Sequence, residues 1–234
     1  MKHRSMWNLL SKLGVFFFFL ITIAGGTYLS ISYIQSRPPV SPVSVNSNEN
    51  KSVTIPPASV QTLLSWPLSQ GKERAKVLTF GLYVTPATSP LPKPEKWVGY
   101  HTALDLEILP GEENTDVPVL SACDGKIVFA GPVNGYGSAI IQSCRIQGQP
   151  VTVLYGHLSG SSINVRVGDF ISAGTRLALL GKAYSSENGN VRKHLHFEIH
   201  KGNMIEFRGY VPKKTDLQNF IDPLPLLSGT GSPL

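Results

Sequence analysis

Charge is scarce in this chain. Asp, Glu, Lys and Arg make up 15% of its 234 residues, whereas Pro (18) and Gly (22) are plentiful. Such a composition argues against a helical protein and for a turn-rich β protein of one ordinary core plus appendages. Cysteine is nearly absent. Cys123 and Cys144 are the only two, and without a Cys-x-x-Cys spacing they are poor metal ligands. There is no zinc-finger spacing and no basic helix; of the net charge of +6, Lys2, Arg4 and Lys12 supply three, and the +3 carried by the remainder is too weak to argue for nucleic acid. It is a mild bias toward an anionic surface such as a cell envelope. Neither His-Glu-x-x-His nor Gly-x-Ser-x-Gly occurs, which sets aside two common hydrolase templates. No internal repeat and no long amphipathic helix is evident beyond the N-terminal region.

What the N-terminus does contain is one apolar run. Gly14 to Ile34 is 21 residues without a charge, preceded by Lys2, Arg4 and Lys12 and by no acidic residue. As a helix it would span about 31 Å, close to a bilayer core of about 30 Å. The basic flank places the N-terminus in the cytoplasm and the remainder outside. Two readings stand. Val15 to Ala24 can be a signal-peptide core with Thr22-x-Ala24 as a cleavage site, giving a secreted protein. Alternatively residues 1–36 are an uncleaved anchor of a single-pass protein of the cytoplasmic membrane, which the continuation Tyr28 to Ile34, with its interfacial tyrosines, favours. Residues 37–61, rich in Pro, Ser, Val and Asn, read as a disordered tether.

Residues 62–227 read as the folded domain and 228–234 as a disordered tail. Expected strands are Val77 to Val84, Leu104 to Ile108, Val117 to Ala122, Lys126 to Ala130, Ser138 to Ser143, Pro150 to Tyr155, Arg176 to Leu180 and His194 to His200. Short strands at this spacing with glycine turns imply an all-β sandwich or barrel. Asn134-Gly135 closes a hairpin. If Ala130 lies opposite about Ser138, Cys123 and Cys144 meet across the ladder, and an oxidising compartment favours a disulfide between them.

The chemistry concentrates in His194-Leu195-His196-Phe197-Glu198-Ile199-His200. Strict alternation puts Leu195, Phe197 and Ile199 on one face and His194, His196, Glu198 and His200 on the other. Two histidines about 6.6 Å apart on one face suit half of a metal site; a surface strand with polar residues outside is the plainer reading. His200, about 13 Å from His196, is expected in solvent. Glu198 is expected exposed or hydrogen-bonded, outside the site. His101-x-x-x-Asp105 supplies two further candidate ligands. An extended run would part them by about 13 Å, so the chain must bend at Thr102-Ala103; an ion pair or a cap is the alternative. His157, in Tyr155-Gly156-His157-Leu158, lies at a strand end.

Together, His101-x-x-x-Asp105, Tyr155-x-His157-Leu158 and His194-x-His196-Phe197-Glu198 resemble the lysostaphin/LytM-type (M23) zinc metallopeptidases. The resemblance runs from about Trp97 to Leu226 and includes Val167-Gly168-Asp169-x-x-x-x-Gly174 and Leu180-Gly181. It implies a compact antiparallel β domain with a groove over one Zn2+. His101, Asp105 and His196 match the family's metal ligands; His157 and His194 match the two histidines that serve the activated water and the oxyanion. One departure is Ala103, where the family usually has glycine. The resemblance implies a peptidoglycan endopeptidase that is expected to be monomeric, acting on stem or bridge peptides, with groove walls in loops such as Pro86 to Glu95 and Tyr184 to Arg192. The rival expectations are a non-catalytic wall-associated module that activates another hydrolase, and a zinc peptidase of envelope proteins.

Overall fold

A computed structural model describes residues 64–93 and 96–230. The expected anchor (1–36) and tether (37–61) and the last four residues lie outside that range. Among the described residues no helix is long and apolar enough to cross a membrane.

The strands follow one another with little else between them. They are β1 (Tyr83–Val84), β2 (Gly99–His101), β3 (Ala103–Glu107), β4 (Pro118–Leu120), β5 (Gly125–Val133), β6 (Gly137–Ile146) and β7 (Gln149–Gly156). After these come β8 (Phe170–Ile171), β9 (Arg176–Leu179), β10 (His194–Lys201), β11 (Tyr210–Val211) and β12 (Phe220–Ile221). Two short α-helices, α1 (Gly71–Arg74) and α2 (Pro223–Ser228), flank them. The main sheet has seven strands in the order β12-β10-β7-β6-β5-β8, with β3 also paired to β10. Smaller sheets join β1-β2-β11 and β4-β9. The pairings are antiparallel.

The expected strand from Val77 shrinks to Tyr83–Val84. Gly81 takes a positive φ of 76°, which breaks an extended run there. The bend expected between His101 and Asp105 is present. Pairing breaks at Thr102, so β2 joins the small sheet while β3 joins the main one.

β10 is the hinge of the architecture. One of its edges pairs with β7; along the other, β3 and β12 follow end to end. Leu195, Phe197 and Ile199 enter the main core with Leu104, Leu106, Val153 and Tyr155. Each such side chain stabilises by about 1.5–3 kcal/mol, so this row holds the strand in register. The opposite face is buried too, which corrects the expectation that His200 lies in solvent and leaves Glu198 hydrogen-bonded rather than exposed. His200 and Glu198 are wholly buried. The segment from Met204 to Gly209 covers them. Thr152 donates to the Met204 carbonyl (2.6 Å) and Thr102 to that of Arg208 (2.9 Å).

The hairpin register differs from the expected one. Ala130 pairs with Ile140 rather than Ser138, and a bulge at Val128 lets Ile127 face Gln142 while Phe129 faces Ile141. The cysteines meet nonetheless. Cys144 lies opposite Gly125, and Cys123 and Cys144 are joined with their Cα atoms 6.2 Å apart. Gly125 permits the close approach: a Cβ there would come within 2.0 Å of the Ser143 carbonyl oxygen.

Candidate active site

His101 ends β2, Asp105 lies in β3 and His196 in β10, where Asp105 and His196 are direct cross-strand partners. The break at Thr102 turns His101 toward the same point. The three side chains are buried and converge. His101 Nε2 lies 3.3 Å from Asp105 Oδ1 and 3.4 Å from His196 Nδ1, and those last two atoms are 3.1 Å apart.

Hydrogen-bond bookkeeping fixes the ring orientations. A carbonyl only accepts, so His101 donates from Nδ1 to Thr79 O (3.2 Å) and its Nε2 is left with a lone pair. His196 Nε2 faces the Glu198 carboxylate at 3.3 Å, which favours a donor there and leaves Nδ1 for the convergence point. Three lone pairs therefore meet, an arrangement that a cation relieves. A tetrahedral zinc with bonds of 2.0–2.1 Å requires ligand atoms about 3.3 Å apart, and the observed separations match. His101, Asp105 and His196 thus fit a zinc ion in donor type, spacing and outer support.

His157 and His194 flank this triangle with their ring centroids 4.4 Å apart. His157 follows the end of β7 with φ of 62°, an uncommon conformation for a non-glycine residue that swings its ring off the strand line. Its carbonyl is taken by Gly181 N–H (2.9 Å). His157 donates from Nδ1 to Asn188 O (2.8 Å), and His194 from Nδ1 to Arg192 O (2.9 Å). Both rings are thus oriented by carbonyls of one loop, which the Asn188 side chain ties together by donating to the Val191 and Arg192 carbonyls.

Burial holds His157 well below the ordinary imidazole pKa, and the nearby His194 and His196 add to the effect. Burial alone would raise the Asp105 carboxyl, but His194, His101 and Arg192 outweigh it and hold it well below the usual carboxylate range.

A cleft of about 290 Å³ opens over Asp105, His157, His194 and His196. Trp97, Asn134 to Tyr136, Val191 and Phe207 to Tyr210 form its walls. Of the two loops expected to form them, the second contributes Val191. The first borders a neighbouring pocket through Leu91, Pro92 and Lys93. Tyr136 packs against His196 and His157, at 5.2 and 5.0 Å between ring centroids, over Gly156, where a Cβ would come within 2.5 Å of the Tyr136 ring.

All five residues singled out in the sequence therefore come together. Glu198, expected outside the site, touches His196, because side chains at i and i+2 on one strand face can bridge the gap that separates their Cα atoms. Arg192, Asn188 and Tyr136 were missed. Arg192 reaches Asp105 Oδ2 (2.6 Å) and Glu107 (2.7 Å) from a polar loop whose sequence carries no strand or motif signal for it.

No curated protein sequence matches the chain. Among solved structures it is similar to the catalytic domain of the antimicrobial peptidase lysostaphin from Staphylococcus simulans. That match is 24% identical, covers 68% of this chain and 96% of that one, and has a TM-score of 0.47. Against a longer lysostaphin structure the identity is again 24%, over 71% of this chain and 55% of that one, with a TM-score of 0.45. LytU is 24% identical over 64% of this chain and 82% of its own, with a TM-score of 0.44. Residues 99–207 match the sequence model of peptidase family M23, and the chain carries a domain of that family.

Proposed function

We propose that this chain is a zinc-dependent endopeptidase that hydrolyses peptide cross-links of peptidoglycan during cell-wall remodelling. Its N-terminal segment holds it on the outer side of the cytoplasmic membrane. The observation that carries the reading is the triangle of His101 Nε2, Asp105 Oδ1 and His196 Nδ1, with two further histidines beside it under one cleft. When bound, zinc supplies Lewis-acid chemistry: it acidifies water toward neutral pH and polarises a carbonyl.

The chain's own residues do the rest. His157, its Nδ1–H engaged by Asn188, keeps a lone pair on Nε2 at neutral pH and accepts the proton of the attacking water. The same proton is then returned to the leaving amine. His194, its Nδ1 held by the Arg192 carbonyl, is the adjacent group assigned to the developing oxyanion, a role that requires a proton on its Nε2. The aromatic walls, Trp97, Tyr136 and Phe207, hold the peptide and exclude water. The Cys123–Cys144 pair supports an oxidising location outside the cytoplasm.

Mass spectrometry of fragments released from purified peptidoglycan by the full-length chain tests the reading. Release that a chelator stops and zinc restores is expected. Cleavage of envelope proteins with walls left intact would redirect it to a protein substrate. No zinc-dependent cleavage of either would sink it.

A further inference from the structure

Beside His196, on the same face of β10 but outside the cleft lining, lies a buried polar chain that the proposed chemistry does not use. Glu198 is wholly enclosed and faces His200 Nε2, Thr102 Oγ1 and, at 3.3 Å, His196 Nε2; the single Thr102 proton is shared between the Glu198 carboxylate and the Arg208 carbonyl. His200 Nδ1 lies 3.0 Å from Thr152 Oγ1, whose own proton goes to the Met204 carbonyl at 2.6 Å. Thr152 and Glu198 thus hold the His200 ring by its two nitrogens. A buried carboxylate is costly unless it is paired and hydrogen-bonded. Here each oxygen has a partner: His200 Nε2 meets one, and Thr102 Oγ1 and His196 Nε2 meet the other.

We propose that Glu198 is a positioning residue for the metal ligand His196. Its carboxylate accepts a hydrogen bond from Nε2–H, which keeps the ring proton on Nε2 and leaves the Nδ1 lone pair aimed at His101 and Asp105. His200 and Thr102 hold the carboxylate in place. The inference rests on His101, Asp105 and His196 being the zinc ligands. It adds that the ligand's tautomer is set from the interior of the domain rather than by the cleft. The same chain reaches the cleft wall: Thr102 and Thr152 also bind the Arg208 and Met204 carbonyls, in the segment that carries Phe207. Outer partners of ligating histidines typically alter metal affinity by 10–100-fold.

The test uses the full-length chain and two variants, Glu198→Gln and Thr102→Val. Zinc dissociation constants come from chelator competition, the d–d spectrum of the cobalt-substituted protein reports ligand geometry, and the His196 tautomer in metal-free protein is read by nitrogen-15 NMR. Glu198→Gln is expected to weaken zinc by roughly 10–100-fold, shift the cobalt spectrum and reduce the Nε2–H tautomer, while the metal-free melting temperature moves by only a few degrees. Thr102→Val is expected to do the same more weakly. A purely structural role would lower the melting temperature and leave the affinity, spectrum and tautomer of the folded fraction unchanged; that result overturns the inference. Should Glu198→Gln fail to fold, unchanged zinc affinity in Thr102→Val overturns it. If the unmodified chain binds no zinc, the ligand assignment itself fails and this inference falls with it, a result distinct from equal binding in all three proteins.

Discussion

Arg192 holds one oxygen of Asp105 and leaves the other to face His101 and His196. Its Nη2 donates to Oδ2 at 2.6 Å, while Oδ1 lies 3.1 Å from His196 Nδ1. The same guanidinium also bonds Glu107, so one planar group fixes the carboxylate's rotation. A lysine offers a point charge and cannot span both acids. Arg192→Lys is expected to weaken zinc binding by roughly 10-fold with the fold retained. Chelator competition measures it, and unchanged affinity would mean that β3 alone orients Asp105.

Metal content tests the proposed division of the histidines into ligands and non-ligands. His196→Ala is expected to lower bound zinc and abolish turnover. His157→Ala is expected to keep about one zinc per chain while losing roughly 10²–10⁴-fold in kcat, the usual contribution of a proton-transfer group. Elemental analysis beside a wall-digestion assay distinguishes the two. Full activity in both variants contradicts the assignment.

Gly125 permits β5 to meet β6 beside the cysteine pair. A methyl group placed there runs into the Ser143 carbonyl, whereas at Gly131, on the same strand, the nearest atom is 3.9 Å away. Gly125→Ala is expected to destabilise by about 1–3 kcal/mol through overpacking, and Gly131→Ala by far less. Urea denaturation midpoints of the two variants make the comparison, and equal midpoints would contradict this account of the register.

Arg74 is buried, and Glu112 answers it with two bonds of 2.6 and 2.7 Å. The bonds to Arg74 hold the Glu112 carboxyl below its ordinary value, although partial burial pushes the other way. A depressed folded-state pKa contributes stability that is present above the unfolded-state value and lost as pH falls through the folded one. The contribution should therefore be constant at pH values well above the ordinary Glu value of about 4.3 and be lost as the pH falls below it, through the lowered folded-state value. In Glu112→Gln that component is expected to be missing, with a loss of about 2 kcal/mol at pH 7. Denaturation of both proteins across pH 3–7 checks it; parallel curves would remove Glu112 from the acid limb.

The sequence by itself determined the alternation of β10, the break between His101 and Asp105, the meeting of Cys123 with Cys144, and the five residues of the site. Period-2 patterning states which side of a strand each side chain takes, and chemistry-bearing residue types at strand ends narrow the remainder. Such patterning does not say what will cover a face. His200 and Glu198 read as outer residues from their positions, yet the return of Met204 to Gly209 over that face buries them. Only the tertiary structure decided this, because the covering contacts join residues far apart in the chain. It also decided how the histidines are aimed. The acceptors for His101, His157 and His194 are the carbonyls of Thr79, Asn188 and Arg192. Every residue carries a carbonyl, so residue type alone does not mark which of them will orient a ring.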